Sequence, residues 1–120
     1  MLLELTDRVL HGCVIVQARG DVDFGSAPDL DQRLSTILTA RAPAVVLDLS
    51  RLTFLDCAGA GVLVAASRRA ASCGADLVLA APRPTVTRLL RVTGLDRHFV
   101  IFPTVAKAVT ATRPGGSRPA

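Results

Sequence analysis

Apolar residues fall along this chain in short blocks, and the spacing within each block assigns it to a strand or a helix. Cys13-Val-Ile-Val-Gln-Ala-Arg19 is rich in β-branched residues and is closed by Gly20, which predicts a strand. Leu2 to Val9 pairs with it as a hairpin across His11-Gly12. Ala44-Val-Val-Leu-Asp-Leu49 and Asp76-Leu-Val-Leu-Ala-Ala81 are almost continuously aliphatic, as strands covered on both faces should be. Phe99 to Phe102 predicts a last, shorter strand.

Between these runs the period lengthens. Leu30, Leu34, Ile37 and Leu38 recur at helical spacing and form one apolar stripe. Ser26 is placed to cap this helix, Pro28 suits its first turn, and Asp29 and Asp31 suit the positive end of its dipole. The helix should end near Arg41, because Pro43 disfavours helical geometry in Ala42. Ser50 to Ala58 reads as a connection. A second helix begins at Gly59 or Ala60 and stops at about Cys73, before Gly74. Val86, Leu89, Leu90 and Thr93 trace a third helix closed by Gly94, and Thr104 caps a fourth containing Val105, Ala108 and Val109. The order β-β-α-β-α-β-α-β-α predicts an α/β fold with a mostly parallel central sheet of four to five strands and about four helices. One domain is expected over residues 1–112, with a disordered tail over 113–120 that has almost nothing to bury.

Composition narrows the classes. Half the residues are hydrophobic but the only aromatics are four Phe, so the core is built from aliphatic side chains. The longest uncharged apolar run, Cys57 to Ala66, is half of the ~20 residues a membrane span needs, and no secretory signal pattern opens the chain. No membrane insertion and a cytoplasmic location are therefore expected. The net charge of +4 comes largely from singly spaced arginines, and Tyr and Trp stacking platforms are absent, so nucleic acid is not the expected partner. Arg68, Arg69, Arg83, Arg88 and Arg91 are expected on solvated helix faces. The cysteines, Cys13, Cys57 and Cys73, lack metal-ligand spacing, and neither a metal nor a cofactor is expected. Cys57 and Cys73 would lie at opposite ends of one helix, ~24 Å apart at 1.5 Å per residue, which excludes a disulfide between them.

Candidate chemistry gathers at two places. Gly20-Asp21-Val22-Asp23-Phe24-Gly25-Ser26 is a turn-rich loop with two carboxylates. Asp56-Cys57-Ala58-Gly59-Ala60-Gly61 joins a buried strand to an apolar helix, where free N–H groups and the dipole favour anions and where Gly59 and Gly61 allow close backbone approach. Asp21, Asp23 and Asp56 together read either as magnesium or acid–base carboxylates or as solvated loop carboxylates. Ser50 and Thr53 are hydroxyls near the turn that read either as turn caps or as alternative sites of modification. Cys57 reads as a small residue filling a tight turn, as a redox-sensing thiol with Cys73 as a second exposed one, or as a nucleophile, although no histidine context supplies a base.

Gly20-Asp-Val-Asp23 followed by a capped helix, and Asp48-Leu-Ser followed by Phe54-Leu-Asp56, Ala58, Gly59 and an aliphatic helix, resemble the STAS family of anti-sigma factor antagonists from about Leu3 to Ala111. The resemblance implies a regulatory binding protein and not an enzyme. It implies as partner an anti-sigma factor of the serine-kinase type, whose capture releases a sigma factor and so regulates transcription. It also implies a partner-binding loop at Asp21, Asp23, Phe24 and Ser26 beside the turn of Asp56, Ala58, Gly59 and Gly61, in a monomer or weak dimer. In the family the kinase phosphorylates a Ser or Thr directly after the motif Asp; here that position is Cys57 and its neighbour is Ala58, so neither offers a hydroxyl. Switching by that route is then missing, and the protein is either permanently binding-competent or answers to another signal. Relatives that serve as scaffolds in stress signalling or as accessory subunits of lipid transport give the alternative role.

Overall fold

The computed structural model describes residues 2–112. The tail expected to be disordered, 113–120, lies outside the described residues. The chain begins with an antiparallel hairpin, β1 (Glu4–Leu10) and β2 (Cys13–Val22). Its two-residue turn, His11 and Gly12, has both φ angles positive, the geometry whose twist matches that of the flanking strands. There follow α1 (Ala27–Thr39), β3 (Ala44–Asp48), β4 (Leu52–Leu55), α2 (Cys57–Cys73), β5 (Asp76–Ala80), α3 (Pro84–Val92), a 3-10 turn over Leu95–Arg97, β6 (Ile101–Phe102) and α4 (Val105–Thr112).

The sheet order is β1-β2-β3-β5-β6, parallel from β2 onward, as the alternation of strands and helices predicted. It holds one strand more than expected, because β4 lies in the stretch read as a connection. Gln17 stands opposite Asp48 and Gly20 opposite Leu52, so β4 takes up β2 where β3 leaves off, with a register shift at Gly20/Asp21.

Even-numbered residues of β2 (Val16, Ala18, Val22) face the main core with Leu30, Leu34 and Leu38 of α1, Leu63, Ala66 and Ala70 of α2, and Val86 and Leu90 of α3. Odd-numbered Cys13 and Ile15 face a smaller core closed by Ala108, Val109 and Ala111 of α4. Such fully buried Leu and Ile side chains contribute about 1.5–3 kcal/mol each. The second face then turns polar along β2, through half-buried Gln17, exposed Arg19 and half-buried Asp21. Gln17 Nε2 donates to buried Asp48 Oδ2 at 3.0 Å, so this carboxylate at the end of β3 is not an orphan.

Several local expectations shift by a residue or two, each for a visible reason. α1 ends at Thr39, before Arg41, because Arg41 adopts a left-handed φ of 63° and reverses the chain ahead of Pro43. β6 excludes Phe99, whose N–H bonds Leu95 O within the 3-10 turn while its ring packs into the main core. α2 starts at Cys57, two residues before Gly59, and ends at Cys73 as predicted, with Gly74 capping it at φ 69°. Thr104 Oγ1 accepts from Lys107 N at 3.1 Å, the cap expected of it. Arg69 is half-buried and donates to Ser35 Oγ, bridging α2 to α1 where a solvated arginine was expected.

Candidate functional site

Asp56 is the N-cap of α2, and its two carboxylate oxygens hold two different segments. Oδ1 accepts from Gly59 N at 3.0 Å, satisfying a free donor of the first helical turn. Oδ2 accepts from Phe24 N at 3.1 Å, in the loop after β2. Asp56 N completes the link by donating to Val22 O at 3.1 Å. The loop and turn singled out in the sequence are thus fastened together by one side chain.

The loop is also fixed from within. Asp23 Oδ1 accepts from Gly25 N and Ser26 N, both at 3.0 Å. Ser26 was expected to cap α1 and stands at the N-cap position, but its side chain makes no cap bond. Its hydroxyl accepts from Asp23 N at 3.0 Å and lies 2.9 Å from Asp21 O, because the competing loop donors and acceptors are closer to hand. Thr53, read as a turn cap, sits in β4, where Oγ1 lies 2.6 Å from Asp21 Oδ1 and 3.0 Å from Gly20 O. The Asp21 carboxyl is held below its ordinary range, with the Thr53 hydroxyl bonded to it among the causes. Among the described residues Ser50 caps nothing with its side chain; its N–H instead donates to Asp48 Oδ1 at 3.0 Å.

All three loop and turn carboxylates are therefore engaged in holding backbone and hydroxyl groups. Among the described residues no cluster of three or more His, Cys, Asp or Glu side chains could hold a metal ion.

Cys57 and Gly61, one helical turn apart, are exposed, while Ala58 is half-buried. The two glycines differ. A Cβ on Gly59 would stand 2.3 Å from Leu55 Cδ1 and 2.8 Å from Val22 Cγ1, so only glycine lets α2 sit this close to β2 and β4. A Cβ on Gly61 would meet nothing within 4 Å, so the close approach expected there is not made inside the fold. Two aromatic rings stand in solvent on the same segments: Phe24, 85% exposed, and Phe54, 49% exposed. The sequence named Thr53 only as a hydroxyl near the turn and Phe54 only as part of the family motif; the apolar pair Leu52 and Leu55, both buried, was the available signal that this stretch packs as part of the fold. Cys73 is exposed at the far end of α2 and is not part of this cluster.

The STAS domain family model matches residues 4–108. RsfB, the anti-sigma-F factor antagonist of Mycobacterium tuberculosis, is 30% identical over 106 residues, which cover 88% of this chain and 85% of that one. The anti-sigma F factor antagonist of Paenibacillus polymyxa is 26% identical over 101 residues, 83% of this chain and 86% of that one. The crystal structure of an anti-sigma factor antagonist from Mycobacterium paratuberculosis superposes with a TM-score of 0.86 at 29% identity, over 94% of this chain and 96% of the other.

Proposed function

The chain belongs to the STAS domain family, and from that premise we propose that it is an anti-sigma factor antagonist. It binds an anti-sigma factor of the serine-kinase type, and the sigma factor is released to direct transcription. The observation that carries this reading is the Asp56 clamp, which holds exposed Phe24 of the loop against the start of α2, where Cys57 and Gly61 are exposed. A preformed surface of this kind loses little conformational entropy on binding, and its exposed rings supply anchors.

Cys57 stands where relatives of this type carry a phosphoacceptor hydroxyl. A phosphate there would add roughly −1.5 to −2 charges in the middle of the contact. Lacking the hydroxyl, this protein stays in the binding-competent state and holds the kinase without being switched off by it. The Asp21–Ser26 loop, the Leu55–Gly61 turn and the exposed start of α2 form the binding surface. The protein works in the cytoplasm as a monomer or weak dimer without a cofactor; no helix among the described residues is long and apolar enough to cross a membrane.

The test is calorimetric titration against a purified serine-kinase-type anti-sigma factor of the same organism, with ATP present. The wild-type protein is expected to bind and to remain unphosphorylated, whereas Cys57→Ser restores an acceptor and is phosphorylated. Cys57→Asp and Phe24→Ala each weaken binding at least about tenfold. Absence of binding to every such anti-sigma factor sinks the proposal. Affinities unchanged by both substitutions would remove the surface assigned here. Affinity that falls under oxidant, and no longer does so in Cys57→Ala, would replace a permanent state with thiol control.

A further inference from the structure

Beyond Leu49, whose N–H bonds Ala80 O, the chains that continue β3 and β5 part company. One follows β2 as β4; the other turns through Ala81 and Pro82 into α3. A depression of about 300 Å³ is lined from both branches, by Ser50, Arg51 and Thr53 on one side and Arg83 on the other, with Arg19 of β2 completing it. The register puts Gln17 opposite Asp48, so Arg19 lies two residues past the carboxyl end of β3, at the same end of the sheet. In open α/β folds this is the end at which ligands bind.

Three guanidinium-bearing residues thus surround one hollow, and among the described residues no carboxylate lines it. Among the described residues none of the three arginines is in an ion pair, whereas Arg33 is paired with Asp7 elsewhere. Two carboxylates do touch the lining residues, and both are occupied: Asp48 accepts from Gln17 and Ser50 N, and Asp21 is bonded by Thr53. The Ser50 hydroxyl makes no hydrogen bond among the described residues. Ala81 holds a left-handed φ of 54°, sparse for a residue with a Cβ, and its N–H is pinned to Phe102 O at 2.8 Å. That kink sets the direction in which the chain reaches Arg83. Like charges gathered without counter-charge raise the energy of the free protein, and an anion seated among them relieves it. Guanidinium groups match phosphate oxygens in charge and in hydrogen-bond geometry.

We propose that the hollow between Arg19, Arg51 and Arg83 is a binding site for a small phosphate-type oxyanion, with the Ser50 hydroxyl as an additional donor. The site is separate from the Phe24–Cys57 surface but is joined to it by Thr53, which lines the hollow and bonds Asp21. An anion here therefore stands one side chain away from the partner-binding loop, although the proposal does not depend on what that loop binds.

The test uses the whole chain at low ionic strength, with inorganic pyrophosphate as probe and backbone amide shifts as readout. Saturable one-to-one shifts are expected at Ser50, Arg51 and Arg83. Arg51→Gln with Arg83→Gln should weaken binding by at least about tenfold. A control pair of equal charge change, Arg68→Gln with Arg97→Gln, should leave it within about twofold. Non-saturating shifts spread over all exposed arginines, or equal loss in the control pair, would overturn the site. Citrate binding as tightly as pyrophosphate would overturn the phosphate assignment.

Discussion

Replacing Gly59 by alanine would press a methyl against the Leu55 and Val22 side chains, both buried in the main core. Overpacking of this kind costs roughly 1–3 kcal/mol, against which alanine regains up to ~1 kcal/mol of helix propensity. Gly59→Ala is therefore expected to lower stability by about 1 kcal/mol, read as a lower urea midpoint at unchanged slope. Gly61→Ala should do the opposite, raising stability by up to ~1 kcal/mol, because its methyl meets open space. If the exposed start of α2 is the contact surface, the same Gly61→Ala protein binds its anti-sigma factor more weakly while being harder to unfold. A variant both more stable and equally tight in binding would show that nothing packs on Gly61. The sequence marked both glycines for close approach, and only their surroundings separate the one facing Leu55 from the one facing water.

Asp56 is where two elements meet, and substitution can separate its tasks. Asp56→Ala removes the cap and should cost ~1 kcal/mol, together with the tie to the loop. Asp56→Asn is more informative. Its amide puts an NH2 group where one of the two carboxylate oxygens stands, so in this geometry it keeps an acceptor toward Gly59 N or toward Phe24 N, but not both. Near-native stability with reduced anti-sigma affinity is the expected outcome; equal affinity would mean that the Phe24 tie is not needed for binding. Element by element, the aliphatic runs of β2, β3 and β5 and the stripe of α1 could be read directly, since each is long enough to show its period. β4 could not: its four residues run buried, exposed, exposed, buried, which lacks the period of two that marks a strand. The start of α2 was hidden for a different reason, because two glycines in its first turns argue against helix until the Asp56 cap is seen. Of the site, the Asp21–Ser26 loop and the Asp56–Gly61 turn were visible, and the family resemblance set them side by side. Their joining through Asp56, and the place of Thr53 and Phe54 beside them, depends on the strand that was not.

Across the whole molecule the three thiols occupy different environments, which gives a simple chemical readout. Cys57 and Cys73 are exposed at opposite ends of α2, while Cys13 is fully buried, its Sγ 3.9 Å from Val109 O and 3.6 Å from Thr112 Oγ1 of α4. Labelling with a thiol reagent should show two fast groups, with the third reacting only as the protein unfolds. Oxidation should yield cross-linked dimers on a non-reducing gel and no internally bridged monomer, because the helix holds Cys57 and Cys73 ~24 Å apart. A bridged monomer would mean that α2 unwinds under oxidant.

The tie between Phe24 and Asp56 also has a kinetic side. Those residues are 32 apart in sequence, and between them lie α1, β3 and β4. Closing a loop of that length costs more chain entropy than forming a local hairpin or helical contact. The Phe24 amide can be shielded from solvent deuterium only when α2 is seated on β2 and β4. Its exchange rate should therefore follow the opening of that unit and not the fraying of the loop itself. Slow exchange at Phe24 beside fast exchange at Gly25 would show that the tie holds while the rest of the loop opens around it.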